Sequence, residues 1–209
     1  MKLSMKSDSA FWGEDGIKHI EQSLQTKQEL SAALKKMMET RPLNHITVRE
    51  LVEACGVNRK TFYYHFEDIY ALLKWTLEQE AMSHFEKYDL VNENASAVEF
   101  VMDYISENLS MLQNIVRSIG RSELGRFFFK DIYQPVYQLV DEVEKLRGLH
   151  VDEGYKAFLS KFLTEAIAGV LLDCIEREAL DSRQKLSRYI TDTLTSAIPN
   201  ALETAAGHE

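Results

Sequence analysis

Residues 58–65 read Asn-Arg-Lys-Thr-Phe-Tyr-Tyr-His, a run that sets two cations, an amide, several hydroxyls and an imidazole on one short segment. At 100° per residue on a helix, Phe62 and Phe66 fall on one inward stripe. Lys60, Thr61 and Tyr64 turn outward, with Tyr63 and His65 on the flanks. Arg59 and Lys60 then occupy the first turn, where the free backbone N–H groups and the helix dipole attract anions. This is chemistry for approaching phosphates and base edges. Arg and Lys can read guanine O6 and N7, while Thr, Tyr and His more naturally fix phosphate register.

Such a helix needs a platform. Thr47-Val-Arg-Glu50 is a capping box that opens an earlier helix, with Ile46 and Leu51 as a hydrophobic staple and Val48, Leu51, Val52 and Cys55 as its buried stripe. Gly56 stops that helix, Val57 leads out, and Asn58 caps the next one, with Val57 and Phe62 as a second staple. Two short helices joined by a three-residue turn containing Gly form a helix-turn-helix pattern. Upstream, Thr26-Lys-Gln-Glu29 reads as another capping box. It precedes Leu30, Ala33, Leu34, Met37 and Met38 at helical spacing, and this predicts a first helix from Thr26 to about Arg41.

The whole run Ile46–Phe66 resembles the signature of the TetR family of bacterial transcription regulators, over about residues 26–74. The string Tyr63–Leu73 is similar to the branch containing regulators of dihydroxyacetone kinase genes, some of which act as activators with a partner protein. The resemblance implies an all-α protein whose first three helices bind a double-stranded DNA operator, while the rest forms a homodimer and senses a small-molecule effector. Carried over, Thr47 and Arg49 match phosphate-side residues. Asn58, Arg59, Lys60, Thr61 and Tyr64 match the base-reading face, and Tyr63 and His65 match phosphate clamps. One departure stands out: Ile69 follows Glu67-Asp68 where the family usually opens its fourth helix with a phosphate-contacting Lys.

The remainder of the chain agrees with an all-helical reading. Of 209 residues, 45% are apolar, 27% are charged, and only 9 Gly and 3 Pro punctuate the chain, which disfavours a turn-rich sandwich or barrel. Helices are expected from Ile69 onward and at about 96–118, 123–147, 153–178 and 182–204, with a kink or break at Pro135, giving about nine in all. The expected divisions are an N-terminal arm at 1–24, a DNA-binding domain at 25–70 and a regulatory and dimerisation domain at 71–209. Within the arm, Phe11 and Trp12 stand among Ser, Asp, Gly and Lys, and Ile17, Ile20 and Leu24 permit a short helix.

Charge is unevenly placed. The net charge is −9, yet residues 26–66 carry seven Lys/Arg against four acids, so a +3 module sits on a −12 body. The apolar run Ala166–Leu172 is too short to span a membrane. Lys2 and Lys6 precede no apolar stretch of a secretory signal, so a cytoplasmic location is expected. Cys55 and Cys174 have neither disulfide-framework nor metal-ligand spacing. The six His include no His-x-x-x-His pair, and no phosphate loop or nucleophile context is present, so neither catalysis nor a metal or cofactor is expected.

Candidate effector residues are the aromatic groups Trp75, Tyr104, Phe127, Phe128, Tyr133 and Phe162, with Phe158 and Glu165 nearby. The candidate dimer interface comprises Ala166, Gly169, Val170, Ile190 and Leu194 on the last two long helices. In the fourth helix, Ile69, Leu72 and Leu73 are expected to pack on the first three, with Trp75, Met82 and Phe85 facing the C-terminal bundle. A reading from another class keeps the fold but has the protein act as a co-regulator through protein contacts, without binding DNA. Ile69 and the acidic net charge favour it. The residues do not decide between repressor and activator.

Overall fold

The computed structural model describes residues 14–85, 93–177 and 183–207, with side chains described outside 14–17, 80–85 and Asn94. Among these residues there are nine α-helices, one short 3-10 turn at Leu43–His45 and no strand. The helices are α1 Glu14–Met38, α2 Val48–Cys55, α3 Arg59–His65, α4 Ile69–Phe85, α5 Asn94–Glu107, α6 Leu109–Ile119, α7 Arg121–Arg147, α8 Glu153–Arg177 and α9 Arg183–Ala206. They divide into two compact units, residues 1–76 and 77–209.

In the first unit, Leu30, Leu34 and Met38 of α1, Leu51 and Val52 of α2, Phe62 of α3 and Leu72 and Leu73 of α4 are buried. Pattern and burial agree here because each helix has one apolar stripe and one core to turn it toward. The unit extends to Thr76 rather than stopping at 70, and the Trp75 ring packs edge-on against Phe66 at 5.9 Å between centroids. Trp75, half-buried, thus lies against the edge of this core. The side chains of Met82 and Phe85, like Phe11, Trp12 and the side chain of Ile17, lie outside the described residues.

Three helix boundaries differ from expectation, each for a local reason. Helix α1 begins at Glu14, so the expected arm is helical over 14–24. Thr26 is not a cap: its hydroxyl donates back to the Gln22 carbonyl at 2.9 Å, a bond that lets a threonine sit in a helix interior. The expected helix at 96–118 is two helices, α5 and α6, meeting at Asn108, whose side-chain amide donates to the Tyr104 carbonyl at 2.9 Å. Conversely, α7 is one helix through Pro135, so no break occurs there.

In the second unit α7 and α8 form an antiparallel hairpin, and α9 packs mainly on α5. The hairpin is tied by Lys156, 3% exposed, whose Nζ lies 2.8 Å from Glu144 Oε2, 3.1 Å from Asp141 Oδ1 and 2.7 Å from Glu153 Oε1. Hydrogen bonding to Glu144 first, then to Glu153, holds the ammonium well above the ordinary lysine range. No described helix is long and apolar enough to cross a membrane.

Candidate nucleic-acid interface

Helix α2 starts on a reciprocal cap. The Thr47 backbone N–H donates to Glu50 Oε2 at 2.8 Å, and the Glu50 N–H donates to Thr47 Oγ1 at 3.3 Å. Its end is a left-handed Gly56 at φ 65°, with Gly56 N–H donating to the Glu53 carbonyl and Val57 N–H to the Val52 carbonyl at 3.0 Å. A side chain at Gly56 would be strained by that φ, so glycine is required for the turn. Asn58 then caps α3, its Oδ1 accepting from the Thr61 N–H at 2.9 Å and the Thr61 hydroxyl at 3.2 Å.

These caps aim α3. Phe62 is fully buried and Phe66 nearly so, while Arg59, Lys60, Tyr63 and Tyr64 are exposed, Tyr64 at 71%. His65 is half-buried with its ring 4.9 Å from that of Tyr64, and burial chiefly, with Lys27 and His19 adding, lowers its pKa. Arg49 is exposed and donates through Nε to Glu53 at 2.7 Å. Asn58 and Thr61 are largely occupied with each other, and the Thr47 hydroxyl also donates to Glu50 Oε2 at 2.7 Å. The residues left open for contact are therefore Arg59, Lys60, Tyr63 and Tyr64.

Two family models match the chain: "Bacterial regulatory proteins, tetR family" over residues 30–74 and "Transcriptional regulator C-terminal region" over 93–196. The chain belongs to the TetR family. Its first unit is the TetR helix-turn-helix DNA-binding domain, and the matched families and relatives are transcription regulators rather than enzymes. A relative from Lactococcus lactis subsp. lactis (strain IL1403), the HTH-type dhaKLM operon transcriptional activator DhaS, is 22% identical over 186 residues, covering 86% of this chain and 94% of its own. The uncharacterized HTH-type transcriptional regulator YxbF of Bacillus subtilis (strain 168) is 25% identical over 116 residues, covering 51% of this chain and 29% of its own. The fold is similar to that of the solved dihydroxyacetone kinase operon activator DhaS, with a TM-score of 0.69 at 21% identity, over 83% of this chain and 96% of that one. It is also similar to reduced E. coli NemR, with a TM-score of 0.53 at 14% identity, over 80% and 97% of the two chains.

In this TetR-family chain three of the residues considered for an effector, Tyr133, Phe158 and Glu165, line one groove. Of the six principal candidates Tyr133 alone borders it, a groove of about 940 Å³ between α7 and α8 also lined by Arg121, Phe129 and Lys161. Tyr104, Phe127 and Phe128 are half-buried elsewhere, and Phe162 is 61% exposed on α8. The expected dimer residues separate. Ala166 and Val170 are exposed on α8 with Phe162, whereas Phe158, whose ring stacks on Phe162 at 6.2 Å, and Gly169 border the α7/α8 groove. Leu194 is 6% exposed, and with Ile190 it lines a small apolar cavity of about 70 Å³ among α5, α7, α8 and α9. Leu194 therefore packs inside the chain and not on an outer face, whereas Ile190 beside it is half-buried.

Two features escaped the sequence reading. The N-terminal extent of α1 was signalled by Ile17, Ile20 and Leu24 continuing the spacing of the first helix, but the false cap at Thr26 masked it. The Lys156 cluster had no local signal, since its carboxylates come from α7 and α8.

Proposed function

We propose that this protein is a cytoplasmic, homodimeric regulator that reads a palindromic operator through α3 and changes its DNA affinity when a small molecule binds the second unit. The observation that carries the reading is the split of α3: Phe62 is fully buried, while Arg59, Lys60, Tyr63 and Tyr64 stand exposed on the same two turns. A helix anchored on one face and cationic at its N-terminal turn can enter a major groove without rearranging. Thr47, Arg49, Asn58, Thr61 and His65 support it, chiefly by capping and by approach to phosphates.

Dimerisation fits the outer side of α8. Phe158 and Phe162, each 61% exposed, continue into Ala166 and Val170, with Phe158 and Gly169 at the border of the α7/α8 groove. Such an exposed apolar stripe on a soluble chain favours a partner surface. Effector binding fits the α7/α8 groove, whose aromatic walls and the cations Arg121 and Lys161 suit an amphipathic molecule. A co-regulator reading, in which protein contacts replace DNA contacts, is favoured by Glu67, Asp68 and Ile69 at the start of α4, where no cation meets a phosphate.

Selection of bound sequences from random duplex DNA tests the proposal. The expected outcome is a palindrome with half-sites about 34–36 Å apart or a multiple of it. Lys60→Ala should relax preference at one position per half-site and cost about 1–3 kcal/mol. A purified protein with no preference among duplexes at moderate salt would favour the co-regulator reading instead.

A further inference from the structure

The exposed face of α8 combines large rings, a gap and two charges of opposite sign. Phe158 and Phe162 are each 61% exposed, and Gly169 leaves a space in which an added Cβ would meet nothing within 4 Å. Lys161 and Glu165 are exposed and, among the described residues, form neither an ion pair nor a hydrogen bond. At 100° per residue, Phe158, Lys161, Phe162, Glu165 and Gly169 fall within about 100° of one another around the helix, so they make one surface strip.

Along the helix these features are placed symmetrically. Lys161 and Glu165 lie two residues to either side of the level of Leu163, and Phe158 and Ala168 lie five to either side, with Gly169 next in the chain. A copy of α8 running the opposite way about that level therefore sets Lys161 against Glu165, Phe158 against Ala168 and Gly169, and the two Phe162 rings beside each other. A two-fold axis generates this arrangement, because across it residue i meets j while j meets i. A different protein would have to carry the inverse of this pattern. A second copy of the chain carries it already, and it gives each unpaired charge its opposite and each Phe158 a gap to fill.

We propose that α8 packs antiparallel on α8 of a second copy about a two-fold axis level with Leu163, with Lys161 of each chain paired to Glu165 of the other and each Phe158 seated over the other chain's Ala168 and Gly169. This register rests on the homodimer reading above and specifies its contacts. Ala168 and Gly169 also border the α7/α8 groove, so Phe158 of the second copy forms part of the wall of that groove. With three N–H donors, Lys161 holds its pair and still faces the groove.

The test is a pair of charge reversals in the full-length protein, read by sedimentation velocity over a range of micromolar concentrations. Lys161→Glu sets acids against acids at both contacts across the axis, and Glu165→Lys sets bases against bases, so each alone should weaken the dimer about tenfold or more. An equimolar mixture of the two variants should recover wild-type affinity, because only the mixed pair brings opposite charges together at both contacts. Effects confined to one helix are the same in the mixture as in its components, so the recovery reports the contact between chains. Gly169→Leu, for which the single chain has room, should shift the protein toward monomer without lowering its unfolding temperature. Wild-type dimer affinity in both reversals, or a mixture no tighter than its components, would overturn the register and leave the homodimer reading standing. A Gly169→Leu dimer of wild-type affinity would overturn the seating of Phe158. A wild-type protein that stayed monomeric at every concentration would overturn the homodimer reading and the register together.

Discussion

Thr47 and Glu50 satisfy each other completely at the start of α2: the Thr47 N–H and hydroxyl both donate to Glu50 Oε2, and the Glu50 N–H donates back to Thr47 Oγ1. The residue that matches a phosphate contact in the family is thus also the cap that positions the helix-turn-helix. Those hydrogen bonds first, with Arg41 at 2.8 Å adding, hold the Glu50 carboxyl down at about 2. Thr47→Ala should remove the cap and destabilise the domain by about 1 kcal/mol, weakening binding to all duplexes alike, while Thr47→Ser should retain both. A carboxyl depressed in the folded state stabilises above its unfolded pKa. Its contribution should be lost as pH falls from about 4.5 toward 2, and urea titrations of wild type and Glu50→Gln across that window would show the two converging.

Ile69 is half-buried at the first position of α4, beside Asp68, whose Oδ1 accepts from the Ala71 N–H at 2.7 Å. Ile69→Lys should strengthen operator binding and steepen its salt dependence by about 0.9 per phosphate gained. Salt titrations of wild type and variant provide the check. Identical slopes would place residue 69 away from the DNA backbone.

The α8 stripe makes a prediction about assembly. Phe162→Glu places a charge among Phe158, Ala166 and Val170, on a side chain that is 61% exposed in the single chain. It should therefore leave folding nearly unchanged but shift light scattering at micromolar concentration from dimer toward monomer. Leu194→Ala, inside the chain, should instead cost about 2–4 kcal/mol of stability. A dimeric Phe162→Glu protein would remove α8 as the interface.

Asp131 is the acid whose environment disfavours its charge. Burial pushes its pKa up to about 6, with Lys130 opposing and Glu78 adding to the rise. A carboxyl raised in the folded state stabilises at low pH, and that contribution is lost as pH rises from about 3.8 through about 6. Asp131→Asn should therefore stabilise the protein at pH 7.5 by about 1–2 kcal/mol, allowing for partial solvation, and by little at pH 4. Thermal unfolding at the two pH values measures the difference.

Lys156 is covered by its three carboxylates, and removing it strands Glu144, which is 8% exposed. Lys156→Met should destabilise by about 3 kcal/mol, and pairing it with Glu144→Gln should recover part of the loss. A double-mutant cycle in denaturant would measure that coupling.

The local determinants were legible in the residues themselves. The Thr47–Glu50 box, the Gly56 turn and the Asn58 cap each depend on bonds spanning six residues or fewer, so residue type and spacing suffice to specify them. The anchored face of α3 follows for the same reason, since Phe62 and Phe66 sit four apart. Beyond such spans the pattern underdetermines the outcome. Leu194 could have faced a partner as well as a core, and only the packing of α9 on its neighbours turned it inward. Phe158 and Phe162 are as apolar as any core residue, yet the α7/α8 hairpin buries Leu159 and Leu163 and leaves them outside. At Thr26 a local signal misled, because a threonine can satisfy its hydroxyl within a helix and α1 ran on through it. Burial is a contest among helices far apart in the chain for one interior, so which apolar stripe is covered, and which stays exposed, was decided by the tertiary structure alone.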